Sequence, residues 1–180
     1  MSDTLAAILV VGAGALAYGV HVVERDTINP IVRQIWVEEG PAERPDNAQA
    51  IAEVLIRRAD RASRIKGKKV TIEDLQAGRE LDRFAGPISA WEGFDRALAA
   101  GDRQAVTDPE FRRRASAAAW RAWYAVRVGY GQQVAPGALW YRHQVDPPAE
   151  WRGQSIVKAL DGPRGRALAL YAPKVGGEGK

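Results

Sequence analysis

The segment Ile35–Arg58, IWVEEGPAERPDNAQAIAEVLIRR, constrains the fold more than any other part of the chain. From it onward, Ala48, Ile51, Ala52, Leu55, Ala59 and Ala62 recur at the i, i+3, i+4, i+7 spacing that lines up apolar side chains on one helix face. Asp46 and Asn47 stand where caps belong, so the pattern predicts a helix from about Asp46 to Ser63. Upstream, Asn29-Pro30 reads as an N-cap followed by Pro at the first helical position. That helix is expected to run through Ile31, Val32, Ile35 and Trp36 to Glu39. Gly40 and Pro41 then break the chain, directly after the adjacent carboxylates Glu38 and Glu39. A carboxylate pair therefore ends one helix, and the next helix starts a short loop later.

The placement has chemical consequences. The C-terminal end of a helix carries partial negative charge. A carboxylate there, with another beside it, is harder to ionise. A glutamate that keeps its proton near neutral pH can donate it to a leaving oxygen, as a glycosidase acid does. The same residues also fit a solvated glutamate pair without a special role, which is what most surface glutamates are.

The stretch resembles the opening block of cell-wall hydrolases of the spore-cortex-lytic enzyme type. That block begins with a Glu-Ala-Arg-Gly-Glu-like segment and leads into a helix ending Val-x-x-Asn-Arg. Glu39, Glu43, Ala50, Val54 and Arg58 fall in step with it. Arg57 stands at the Asn position, and Gly40, Pro41 and Ala42 replace Ala-Arg-Gly. The resemblance implies a mainly α (α+β), lysozyme-like domain that cleaves peptidoglycan as a lytic transglycosylase or muramidase. It maps the catalytic glutamate onto Glu39, with Glu38 as the off-by-one alternative.

Further matches lie downstream. Gly137-Ala138-Leu139-Trp140-Tyr141 is similar to the family's Gly-Ala-x-His-Tyr segment beside the cleft, with Trp140 at the His position. Arg83-Phe84-Ala85 falls where the family has a Gln-Phe-Ser element. VDPPAEW is similar to its Pro-x-Trp turn through Pro148 and Trp151, and ALALY to its closing strand through Tyr171. The resemblance thus spans roughly Ile35 to Tyr171. It implies Phe84, Trp140, Tyr141 and Glu43 as substrate-binding residues and peptidoglycan glycan strands as the partner. A hydrolase would add a second carboxylate, for which Glu43, Asp74 and Asp82 qualify by residue type alone. A lytic transglycosylase needs none.

Composition narrows the alternatives. The chain has 180 residues, 46% of them hydrophobic, enough for one domain with a real core. There is no cysteine, which excludes disulfides, thiolate metal sites and thiol nucleophiles. His21 and His143 are the two histidines, which argues against a multi-histidine metal centre or a His-based triad. No cofactor or metal is expected. Net charge is +4, and such a basic chain suits a polyanionic partner such as peptidoglycan, nucleic acid or anionic lipid.

Leu5 to Val23 carries no Asp, Glu, Lys or Arg and is just long enough to span a bilayer core. It is read as an N-terminal membrane anchor over residues 1–24, followed by the hydrolase domain over 25–172 and a loose tail over 173–180. A cleaved signal peptide and a buried core helix are the alternatives. A dinucleotide fold is a further rival, because Gly12-x-Gly14-x-x-Ala17 follows an apolar run, but the rest of the chain does not alternate strand and helix. Arg25 and Arg33 after the run favour a cytoplasmic C-terminal domain by the positive-inside rule. Wall cleavage instead requires the periplasmic face, or delivery by a virus particle, so the anchor's orientation conflicts with the activity.

Glu24 to Ile28 reads as a short polar connection. Thr71-x-x-Asp74 reads as a capping box opening a short helix. Ser89-x-x-Glu92 and Gly101 bound a helix over Ala90–Ala100. Thr107-x-x-Glu110 opens a long helix with Phe111, Ala115, Ala118, Ala119, Ala122, Ala125 and Val126 on one broad face. The arginines interleaved with Trp120, Trp123, Tyr124 and Tyr130 also suit nucleic acid. A helix with one core face and one solvated face is the commoner meaning, and nucleic acid is disfavoured as a partner. The alternative function is a catalytically degenerate glycan-binding protein or a membrane-anchored structural protein, including one associated with a virion.

Overall fold

A computed structural model of the chain describes residues 18–40, 44–76, 108–142, 154–161 and 167–173. Glu43, Asp82, Phe84, the helix expected over Ala90–Ala100, the VDPPAEW turn and residues 174–180 of the tail lie outside the described residues, while Pro173, expected in the loose tail, is paired with Gln154 in the sheet. The apolar N-terminal run is described only from Tyr18, and no helix among the described residues is long and apolar enough to cross a membrane.

Helix α1 (Asn29–Glu39) buries Ile31, Val32 and Ile35. Its start differs from expectation. Helical backbone already runs from Tyr18, and Glu24–Ile28 is a π-helical turn, not a polar connection. Asn29 is no N-cap: its φ and ψ are −61° and −44°, and its N–H donates to the Glu24 carbonyl five residues back. Pro30 supplies the reason. Proline has no N–H, and its ring crowds the carbonyl four residues earlier. A π turn directly upstream widens the backbone and lets the helix run through. The helix ends where Gly40 takes φ 68° and ψ −162°, a region essentially reserved for glycine.

Helix α2 (Pro45–Lys66) is the central element. Ala48, Ile51, Ala52, Leu55, Ala59 and Ala62 are all buried, as the spacing predicts. Ala50, Val54, Ile56, Glu53 and Arg58 are buried too, so the helix is enclosed on most sides. Asp46 and Asn47 are not caps. Arg44 occupies that position without a side-chain cap, and Pro45 sets the first helical residue.

Helix α3 (Ile72–Gln76) opens with the expected box. The Thr71 N–H donates to Asp74 Oδ2 and the Asp74 N–H to Thr71 Oγ1, both at 3.0 Å. Helix α4 (Pro109–Trp123) is capped one residue later than Thr107 would place it. Asp108 Oδ1 accepts the N–H groups of Glu110 at 2.8 Å and Phe111 at 3.1 Å. Glu110 pairs with Arg113 and Arg114 instead. A π turn, Tyr124–Val128, extends α4 to Gly129.

The alanines of α4 (Ala115, Ala118, Ala119, Ala122) share one buried cluster with those of α2. Small side chains on both helices permit close axial approach. Phe111 closes one end edge-on to Trp36, with ring centroids 4.8 Å apart. Each fully buried Ile, Leu or Phe here contributes about 1.5–3 kcal/mol relative to exposure.

Strands β1 (Trp140–Arg142), β2 (Gln154–Leu160) and β3 (Leu168–Pro173) form an antiparallel sheet in the order β1-β3-β2. Tyr171 pairs with Trp140 on one side and Ile156 on the other. Leu170 packs with Ala50 and Val54 of α2, docking the sheet on the central helix. Ala169, Tyr171 and Trp140 form a separate cluster. The fold is mainly helical with a small sheet. That sheet is antiparallel, so it lacks the parallel pairing a dinucleotide fold requires.

Candidate active site

Glu38 and Glu39 are neighbours in sequence but serve different parts of the fold, because successive residues on a helix point about 100° apart. Glu38 belongs to a polar network on one side of α1. Its Oε1 accepts from Gln34 Nε2 at 2.9 Å and from the Tyr141 hydroxyl at 3.1 Å. Gln34 Nε2 also donates to the Tyr141 oxygen at 3.1 Å. Gln76 extends the chain, donating to the Pro30 carbonyl at 3.0 Å and to Gln34 Oε1 at 3.3 Å. This ties α1, α3 and β1 together. Burial and the Glu38 charge push the Tyr141 hydroxyl well above the ordinary tyrosine pKa, and the buried Arg58 guanidinium opposes that shift.

Glu39 takes the other direction. It is 6% exposed, and its Oε2 accepts from Asn47 Nδ2 at 3.1 Å. The same Asn47 amide donates to the Asp161 carbonyl at 2.9 Å, and Arg44 Nη1 donates there at 3.0 Å. The end of α1, the first turn of α2 and the residue after β2 therefore converge on Glu39. Asn47 reaches both acceptors because it lies inside the first turn and not at the cap.

Of the other residues expected at the site, Tyr141 reaches the α1 end, but through Glu38 and not Glu39. Trp140 points to the opposite face of β1 and is buried at 2% exposure beside Ala169 and Tyr171. Its indole thus packs within the protein. Asp74 is engaged in capping α3. Glu43, Asp82 and Phe84 lie outside the described residues.

Nothing in the sequence pattern assigned Gln34, Asn47, Glu53 or Gln76 to a site. Glu53 is fully buried in the middle of α2. Its Oε1 accepts from Gln49 Nε2 at 3.0 Å and the Val134 N–H at 2.8 Å; its Oε2 accepts from the Ala135 N–H at 3.2 Å and Arg57 at 3.0 Å. Arg57 also donates to Gln133 Oε1 at 2.7 Å and the Ala138 carbonyl at 3.1 Å. This pair clamps the segment that leads into β1. A glutamate inside the apolar run Ala50–Ile56, with an arginine at i+4, was the available signal. Among the described residues, no group of acidic or histidine side chains is placed to hold a metal ion.

Comparison with known family models, with curated proteins and with solved structures yields no match to this chain.

Proposed function

We propose that this chain cleaves peptidoglycan glycan strands between N-acetylmuramic acid and N-acetylglucosamine, with Glu39 as the general acid. The observation that carries the reading is the burial of Glu39 at a three-way junction, its carboxylate fixed by Asn47. A group that protonates a glycosidic oxygen must be held in place and shielded from bulk water. Glu38 is the weaker choice, because Tyr141 and Gln34 occupy its Oε1 within a structural network.

The lytic transglycosylase route suits the residues described. Glu39 gives its proton to the bridging oxygen, and the bond from that oxygen to the muramyl C1 breaks. The muramyl 6-hydroxyl then attacks C1 and returns its proton to Glu39, leaving a 1,6-anhydro end. No water is consumed and no second carboxylate takes part. In this reading the run Leu5–Val23 anchors the domain to a membrane, or the chain travels in a virus particle.

A binding-only protein is the second reading. Arg57 stands at the Asn position of the resembled family and is tied to Glu53 and Gln133. Trp140 stands at the His position and is packed inside. Mass spectrometry of digested wall separates the lytic transglycosylase route from hydrolysis, because anhydro ends and reducing ends differ by one water. Glu39→Gln is expected to abolish wall clearing in a zymogram with an unchanged circular dichroism spectrum. Full clearing by that variant removes Glu39 from the mechanism, and wall retention without any released product favours the binding protein.

A further inference from the structure

The C-terminal tip of α2 returns to the start of α1. Gly67 takes φ 63° and turns the chain, and the Val70 N–H donates to Ser63 Oγ at 2.8 Å, which closes residues 64–69 into a tight turn. Lys69 Nζ then meets Asp26 Oδ2 at 2.8 Å, fixing that turn against the π turn before α1. Asp26 also pairs with Arg25. The turn, Arg-Ile-Lys-Gly-Lys-Lys, holds four basic residues and no acid, and all of its residues are exposed. Ile65 is 52% exposed between Arg64 and Lys66.

This end of the domain is where the apolar run Leu5–Val23 joins it. The last residues of the run, from Tyr18, are helical and continuous with the π turn. Tyr18 and Val20 are 72% and 53% exposed, so that helix stands clear of the domain, while Val23 packs on the core. Asp26 lies three residues past Val23, roughly 5 Å along the axis. The headgroup layer is about 5–7 Å deep on each side of the hydrocarbon core, so the turn stands at headgroup depth when the run spans a bilayer. Glu24 is exposed at the same level, and the start of α4 meets it through Arg112, which donates to Asn29 Oδ1 at 3.2 Å. Glu110 is held there by Arg113 and Arg114.

We infer that the turn over residues 64–69, with Arg25, docks on an anionic phospholipid surface beside the anchor. This docking rests on the anchor proposed above and not on Glu39 as the acid. Basic side chains next to a membrane-spanning segment attract acidic headgroups. Lysine and arginine stems lie along the apolar boundary while their charged ends reach phosphate. Ile65, flanked by bases, gives the turn an apolar contact with the interface. Pairing of Lys69 and Arg25 with Asp26 does not prevent this, because exposed ion pairs are individually weak and a headgroup phosphate offers the same charge. Docking at this end leaves Glu39, thirteen residues beyond Asp26, roughly 20 Å further along the helix axis.

The chain has no cysteine, so Ile65→Cys accepts a single environment-sensitive fluorophore. The full-length labelled protein is incorporated into vesicles of phosphatidylcholine, alone or mixed in equal parts with phosphatidylglycerol. Flotation with both kinds of vesicle reports the anchor. Blue-shifted emission with the anionic vesicles alone reports the docking. The shift is expected to fade on going from about 0.1 M to about 1 M salt, as the Debye length falls from about 10 Å to about 3 Å. Arg64→Glu combined with Lys68→Glu, both at exposed positions, is expected to lower the docked-to-free ratio at least about tenfold with an unchanged circular dichroism spectrum. Flotation with both vesicles but equal emission overturns the docking alone. No flotation with neutral vesicles overturns the anchor and the docking beside it. A shift that the double charge reversal leaves intact overturns the role of residues 64–69. An equal shift on adding single-stranded DNA to neutral vesicles overturns lipid as the partner.

Discussion

The Asn47 amide bridges Glu39 Oε2 at 3.1 Å and the Asp161 carbonyl at 2.9 Å. One side chain thereby links the proposed acid to both the start of the central helix and the end of β2. Asn47→Ala removes both bonds and leaves a buried carboxylate and a carbonyl short of a donor. Urea unfolding is expected to show a loss of about 1–3 kcal/mol. Wall-cleaving turnover should fall more than this stability loss explains, because Glu39 is no longer held in position. A variant with full stability contradicts the structural role.

Glu53→Ala is expected to be the more damaging change. It strands Arg57 and the Val134 and Ala135 N–H groups, and breaking a buried ion pair from one side costs about 3–5 kcal/mol. Glu53→Gln keeps an acceptor for part of the network and should cost less. The ratio of the two denaturant midpoints checks this; equal midpoints would mean that charge plays no part in the clamp.

Tyr141 gives an alkaline signature. Its folded pKa is raised above the ordinary value of 10.0, so folding favours the protonated hydroxyl. The stability this contributes is complete below pH 10 and declines as pH rises beyond it. Tyrosinate absorbance of the folded protein should therefore lack the Tyr141 contribution near pH 10 and regain it on unfolding. In Tyr141→Phe the missing signal should disappear from the difference between folded and unfolded titrations.

Asp26 gives the acid counterpart. Hydrogen bonds from Arg25 and Lys69 hold its carboxyl at about 2, below the ordinary 3.8. A lowered folded value means that stability is present above pH 3.8 and is lost as pH falls towards 2. The Lys69 contact at 2.8 Å joins the π turn before α1 to the loop after α2. Asp26→Asn should flatten the dependence of the urea midpoint on pH in that window. An unchanged slope would show that this pair adds nothing in solution, as holds for many exposed pairs.

Local pattern was enough for the buried faces of the described long helices. Apolar spacing alone located the buried face of α2 and that of α4, because periodic burial leaves a periodic trace in sequence. Thr71 and Asp74 were legible for the same reason: a capping box closes within four residues. Where local chemistry competed, pattern misled. Pro30 has the look of a helix start, but the upstream π turn carries the helix through it. Asn47 has the look of a cap, but its amide faces Glu39.

Residue order therefore specifies which segments coil, which faces hide from water, and that a carboxylate pair ends α1. Which carboxylate faces what depends on tertiary packing. Tyr141 meets Glu38 from 103 residues away, and the Val134 N–H meets Glu53 from 81. Such partners leave no periodic trace, because they depend on how the sheet docks against the central helix. The strength of each contact then comes from the exclusion of water that the docking creates.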